Sequence, residues 1–127
     1  MKTILVAGGA GFLGSHLCEH LLGRGNAVIC IDNLQTGTRA NIEHLAAHDR
    51  FRFIEHDVIK PLSLRGPLDE IYNLACPASP VHYQSNPRHT LMTNVLGVDN
   101  LVELARPKRA RMLQASRILT APISPTR

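Results

Sequence analysis

A five-residue apolar run, "TILVA" at residues 3–7, meets four glycines within seven residues: Gly8, Gly9, Gly11 and Gly14. An amphipathic stretch follows at once. A continuous β-branched run reads as a strand buried on both faces, as inside a parallel sheet. Behind the glycines, Leu13, Leu17, Leu21 and Leu22 recur at helical spacing, and Gly23 and Gly25 supply a stop. Gly9, Gly11 and Gly14 satisfy G-x-G-x-x-G, and Gly8, Gly11 and Gly14 satisfy the related G-x-x-G-x-x-G. In such a loop one glycine permits a turn closed to a side chain. Another lets the backbone approach a pyrophosphate, and a third lets helix and strand pack closely. The helix N-terminus then offers free N–H groups and a partial positive charge. Alone, the pattern also describes an ordinary tight turn. The strand before it, the helix behind it and the acid Asp32, 18 residues past Gly14 at the end of the next apolar run, narrow it to a dinucleotide site.

The rest of the chain repeats the alternation. "AVICID" (27–32), "FRFIEHD" (51–57), "EIYNLA" (70–75) and "RMLQAS" (111–116) read as strands. "TLMTNVLGVDNLVELA" (90–105) carries apolar residues at Leu91, Val95, Val98, Leu101, Val102 and Ala105, which suits a long helix. Strands alternating with helices imply an α/β fold of Rossmann type, a doubly wound parallel sheet of about five strands in the order 3-2-1-4-5. After Ser116 the pattern stops. "RILTAPISPTR" has two prolines and no acid. One domain over 1–116 and an irregular basic tail over 117–127 are therefore expected.

Charge follows that division. Residues 106–127 carry six basic groups and no acid, whereas the first 105 carry 8 basic and 10 acidic groups. The tail has no aromatics for base stacking, so nucleic acid is not an expected partner. No apolar run is long enough to span a bilayer. The N-terminal run is too short for a signal peptide, which leads us to expect a cytoplasmic protein without membrane contact. Cys18, Cys30 and Cys76 form no CxxC pair and read as buried reduced thiols. His16 with His20, and His44 with His48, have i, i+4 spacing but neither the H-E-x-x-H glutamate nor a third ligand, so no metal is expected. Ser79 and Ser116 lack a G-x-S-x-G context, which argues against a hydrolase.

Asp32 stands where a carboxylate accepts the hydroxyls of an adenosine ribose, and an acid there repels a 2′-phosphate. This favours NAD over NADP, although Arg39 is near enough in sequence to bear on the choice. Asp57, ending the third strand, is either an acceptor for the adenine amino group or a surface carboxylate capping a turn.

These residues resemble a family. "GGAGFLGSHL", "DNLQTG", "HDV", "NLACPASPVHY" and "TNVLG" are similar to the N-terminal half of the extended short-chain dehydrogenases/reductases. "NLACPASPVHYQSNP" with "ANIEHL" resembles most closely the UDP-glucuronic acid decarboxylases, over residues 2 to about 116. The resemblance implies that Gly8, Gly11, Phe12 and Leu13, with Gly14, cradle the pyrophosphate of NAD. It places Asp32 and Asn33 at the adenosine ribose, with Thr36 and Gly37 nearby, and Asp57 and Val58 at the adenine. Leu74, Ala75 and Cys76 line the cofactor, Thr93 sits beside it, and Asn100 lies near the nucleotide sugar, UDP-glucuronate. Members of the family are homodimers. They oxidise the sugar at C4 with NAD, lose CO₂ from the β-keto acid, and reduce the ketone again to give UDP-xylose.

The chain departs from the family pattern at Met92, where Lys is usual, at Pro107, where a basic residue is usual, and at Ala7, where Thr is usual. The family's general base is the Tyr of Y-x-x-x-K, whose phenol is acidified by the Lys. Here Tyr72 is followed four residues later by Cys76, and Tyr83 by Pro87. No catalytic residue is therefore assigned. Nor does the Ser/Thr-rich, Glu-containing stretch follow "QAS". A shifted reading frame after Ser116 would produce this pattern; downstream DNA with no open alternative frame would sink that idea. Three functions remain open: the NAD-binding portion of a decarboxylase, inactive in this form; a fragment of another nucleotide-sugar epimerase or dehydratase; and a non-catalytic dinucleotide sensor.

Overall fold

The computed structural model describes residues 1–75 and 87–115, apart from a few helix side chains. Five strands form one sheet: β1 (Thr3–Ala7), β2 (Ala27–Asp32), β3 (Phe51–Glu55), β4 (Glu70–Asn73) and β5 (Arg111–Gln114). All pairs are parallel, and the order is β3-β2-β1-β4-β5, as the alternation of strands and helices predicts. β1 at the centre and β2 beside it are apolar at all but one position each, which suits strands covered on both faces. Ile4, Leu5, Val6 and Ala7 are all buried, and each large side chain contributes about 1.5–3 kcal/mol on leaving water.

Two helices cover the faces. α1 (Phe12–Gly23) sits over a cluster of Ile4, Val6, Cys18, Leu21, Val28, Cys30 and Phe51. α2 (Pro87–Lys108) covers Leu5, Ala7, Ile31, Val58, Ile71, Leu101 and Leu104 on the opposite face. Alternate residues of β1 therefore feed both cores, as the two-fold period of a strand requires. Leu91, Val95 and Val102 on α2 and Leu113 on β5 remain exposed.

The observed elements differ from expectation mainly at their ends. β3 stops at Glu55, short of 57, and β4 stops at Asn73, short of 75. The residues beyond are drawn into the loops of the site. Pro107 lies inside the last turn of α2, where it withholds one N–H from the i−4 ladder just before the helix ends at Lys108. His44 and His48 do not share an α-helix: His44 lies in a 3-10 turn (Glu43–Leu45) and faces Glu19, while His48 lies beyond that turn and accepts from the Arg50 N–H. Cys76, the expected domain end near 116 and the tail 117–127 lie outside the described residues. Among the described residues no helix is long and apolar enough to cross a membrane.

Both helices end in the same way. Asn26 N–H reaches back to Leu21 O and Gly25 N–H to Leu22 O, with Gly25 at φ +87°. Ala110 N–H reaches Ala105 O and Arg109 N–H reaches Arg106 O, but here Arg109 occupies the left-handed position at φ +57°. A side chain there is strained against the following carbonyl. Arg109→Gly should therefore raise stability by about 0.5–1 kcal/mol, read as a Tm increase of about 2–5 °C in thermal denaturation. An unchanged or lowered Tm would contradict this account of the helix end.

Candidate dinucleotide site

The chain leaves β1 toward β2 and β3, then returns to lay β4 on the other side of β1. This reversal opens a crevice at the carboxyl ends of β1 and β4, the place where open parallel sheets bind ligands. The glycine loop sits over it. Gly8 has φ +79°, and a side chain there would meet Leu74 O at 2.6 Å and Ala75 N at 2.9 Å. Leu74 N–H donates to Ala7 O at 2.8 Å, so β4 is stitched to the loop at the point of closest approach. A Cβ on Gly14 would collide with the Gly8 carbonyl and lie 2.8 Å from Gly9 Cα, which is why α1 can start so close to the strand. Beneath the loop, the space a Gly9 side chain would need is taken by the sulfurs of Cys30 and Cys18.

Gly11 differs from these. Its nearest contact would be Gly8 O at 3.5 Å, ordinary van der Waals distance, so the space above it is open. It is also the residue preceding α1, and no side chain caps that helix. Ser15 N–H is the first to reach a carbonyl, that of Gly11 at 2.9 Å. The N–H groups of Phe12, Leu13 and Gly14 come before it, without i−4 partners. No acid occupies the first turn. Phe12 and Leu13 are 77% and 68% exposed. Open space, uncapped donors and the positive end of the helix dipole together fit a diphosphate.

Asp32 holds this loop in place. It is 8% exposed. Its Oδ2 accepts from Ala10 N–H at 2.9 Å and its Oδ1 from Leu34 N–H at 2.7 Å. A carboxylate oxygen can accept two hydrogen bonds, so each oxygen has capacity for one more donor, such as a ribose hydroxyl. The bond to Leu34 N–H holds that residue at φ +61°, a conformation a leucine rarely adopts. Ala10 is a hub that the sequence reading passes over. Its N–H donates to Asp32, and its carbonyl accepts from Thr38 N–H at 3.1 Å and from Asn41 Nδ2 at 2.8 Å. Gly37 packs so tightly here that a Cβ would lie 2.7 Å from the Ala10 carbonyl. Thr36 beside it is exposed.

The loops that follow β2 and β3 hold the residues expected at the adenosine. Asn33 Nδ2 donates to Asp57 Oδ2 at 3.3 Å, and Asp57 Oδ1 accepts from Ile59 N–H at 3.2 Å. Asp57 thus caps the turn that follows β3 and also joins the ribose-side loop. Val58 is buried beneath α2, where a Cβ on Gly97 would lie 2.8 Å from its Cγ2. Asn100 Nδ2 donates to Val58 O at 2.8 Å, which gives Asn100 a fixed structural partner. Ala75 N–H is taken by Asn73 Oδ1 at 3.1 Å, and Asn73 Nδ2 bonds Gln114 Oε1 at 2.7 Å. Asn73 is a buried polar residue that nothing in the spacing signals. Cys76 and the side chain of Thr93 lie outside the described residues.

Two further groups bear on chemistry. Tyr72 Oη bonds Glu70 Oε1 at 3.3 Å. Burial, then the Glu70 carboxylate, push its phenol above the ordinary tyrosine value, opposite to what a proton acceptor needs. The Cys30 thiol is pushed far up by its hydrogen bond to Cys18, by burial and by the nearby Asp32 charge, so it stays protonated and unreactive.

The geometry makes Asp32 the side chain on which the loop depends. Asp32→Ala leaves the Ala10 and Leu34 N–H groups without that acceptor. It should cost about 1–3 kcal/mol of stability and weaken NAD about tenfold or more, read by chemical denaturation and calorimetry. Unaltered affinity would remove the ribose assignment. Gly14→Ala should lower Tm and NAD affinity together, because its methyl group has no room; full retention of both would contradict the packing described here.

Comparison with known proteins agrees with this geometry. Residues 4–119 match the model of the NAD dependent epimerase/dehydratase family. UDP-glucuronic acid decarboxylase 1 of Arabidopsis thaliana is 53% identical over 113 residues, 89% of this chain and 26% of the relative. UDP-glucuronic acid decarboxylase 1 of Danio rerio is 48% identical over 115 residues, 91% of this chain and 27% of the relative. The chain therefore spans about a quarter of the length of these relatives. Among solved structures, the UDP-Glc/GlcNAc 4-epimerase of Campylobacter jejuni aligns with a TM-score of 0.79 at 30% identity, covering 91% of this chain and 37% of that one. The UDP-glucose 4-epimerase of Thermus thermophilus, solved in complex with NAD, aligns with a TM-score of 0.72 at 27% identity, covering 98% and 43%. A Rossmann-type parallel sheet, an uncapped glycine-loop helix and an acid ending β2 meet here in one chain, and that chain belongs to the NAD dependent epimerase/dehydratase family.

Proposed function

We propose that these 127 residues are the NAD-binding portion of a UDP-glucuronate decarboxylase. The observation that carries this reading is the 53% identity to such an enzyme over 113 residues, 89% of this chain. In that reaction UDP-glucuronate is oxidised at C4, the resulting β-keto acid loses CO₂, and the ketone is reduced to give UDP-xylose. Bound NAD supplies the two-electron capacity for both redox steps. The chain's own residues do the holding. Gly8, Gly11, Gly14, Phe12 and Leu13 surround the diphosphate, and Asp32 with Asn33 takes the ribose, near Thr36 and Gly37. Asp57 and Val58 flank the adenine, Leu74 and Ala75 line the cofactor, and the family resemblance adds Cys76 with Thr93 beside it.

The chain's own residues do not remove the sugar hydroxyl proton. Neither tyrosine begins a Tyr-x-x-x-Lys, and Tyr72 is turned onto Glu70. We therefore assign binding without turnover to the chain in this form. The purified chain should bind NAD weakly in calorimetry, and UDP-glucuronate supplied with NAD should yield no UDP-xylose by chromatography. Formation of UDP-xylose would overturn the no-turnover reading. Tyr72→Phe should leave NAD affinity within about twofold, since losing one exposed-side hydrogen bond to Glu70 costs little.

A second reading, a portion of a nucleotide-sugar 4-epimerase, draws on the solved structures, which include several 4-epimerases at 27–30% identity. The higher identity to decarboxylases weighs against it.

A further inference from the structure

Arg39 is the one basic residue in the loop from Asn33 to Asn41, which runs from the ribose-reading acid back to the glycine loop. An arginine so placed is a ready partner for a 2′-phosphate, since its planar fork matches phosphate oxygens. The structure shows it engaged elsewhere. Its Nη2 donates to Glu55 Oε1 at 3.0 Å, and its guanidinium lies 5.0 Å from the centre of the Phe53 ring.

The sheet register explains where this puts the charge. Asp32 on β2 pairs with Glu55 on β3. Residues paired in a parallel ladder leave the sheet on the same face, and Phe53, two residues before Glu55, shares it. Two carboxylates thus stand side by side at the carboxyl end of the sheet. Asp32 is buried and turned toward the glycine loop through Ala10 N–H. Glu55 lies on the far side, over the edge strand β3. Arg39 bonds Glu55, whereas the two Asp32 oxygens accept from the Ala10 and Leu34 N–H groups.

We infer that Glu55 is a specificity-determining positioning residue: it holds Arg39 over Phe53 and so maintains the preference for NAD over NADP. The inference rests on the assignment of the adenosine ribose to Asp32. Both partners are exposed, 64% for Arg39 and 57% for Glu55, so the pair is weak and its effect is moderate. Asp32 remains the larger barrier to a 2′-phosphate, and Glu55 engages the one basic residue of the Asn33–Asn41 loop.

The test is a double-mutant cycle on the full 127-residue chain, with NAD and NADP affinities measured by calorimetry for the parent, Glu55→Gln, Arg39→Ala and the double variant. Glu55→Gln should raise NADP affinity relative to NAD by about fivefold, because a released guanidinium can reach the phosphate. Arg39→Ala should abolish most of that gain. A general loss of structure would weaken both dinucleotides together and leave their ratio unmoved. The inference is overturned if the ratio is unchanged in Glu55→Gln, or if the whole gain persists without Arg39, since the field of Glu55 alone would then account for it. Failure of the underlying assignment looks different: Asp32→Ala would bind NAD as well as the parent, or the parent would bind neither dinucleotide.

Discussion

A single buried carboxylate organises this molecule. Asp32 accepts from the glycine loop through Ala10 N–H and from its own following loop through Leu34 N–H. A carboxylate this far from water must be satisfied by donors, and two main-chain N–H groups provide them. Each bond fixes a different segment relative to the sheet. The glycine loop cannot lift from β2, and the chain after β2 turns back at once through a strained leucine. That turn delivers Thr38 and Asn41 to the carbonyl of Ala10. Asp32, Thr38 and Asn41 converge on one alanine, 22 to 31 residues earlier in the chain, because one acid ends one strand.

The sheet and the glycine motif were legible in the sequence because they rest on local rules. An apolar β-branched run is a buried strand whatever surrounds it, and the order 3-2-1-4-5 follows from alternating strands and helices. Gly8 and Gly14 were readable because the spacing states a steric requirement, which the close contacts at both positions bear out, whereas Gly11 faces open space. What the sequence hid depends on partners far along the chain. Ala10 has no side-chain chemistry, and its role exists only through the main chain. Asn41 and Asn73 look like surface polar residues until the fold brings them to Ala10 and to Gln114. Asn100 suits a sugar contact by resemblance, yet its amide is already bonded to the Val58 carbonyl across 42 residues. Arg39 was visible as a complication for cofactor choice, whereas its engagement with Glu55 needed the register of β2 and β3.

The two faces of the sheet are served unequally. On the α1 side, small thiols and glycines let the loop, helix and strand interpenetrate, and the packing is close enough to leave no room for a methyl group at Gly14. On the α2 side, Leu91, Val95 and Val102 stay in contact with water. The tightest packing therefore lies directly under the proposed diphosphate position, where rigid donors matter most.

The donors left free at the start of α1, which we propose meet the diphosphate, belong to the main chain: the N–H groups of Phe12, Leu13 and Gly14. Side-chain replacement cannot delete such groups; it can only displace them. The identity of the residues at 12 and 13 is therefore nearly free to drift, while the residues that shape the path of the chain are not. Variation that abolishes binding should concentrate at the glycines that shape the loop and at Asp32 beneath them, rather than at the side chains of residues 12 and 13. Relatives can then diverge widely around this loop and still present an unchanged array of donors to the same anion.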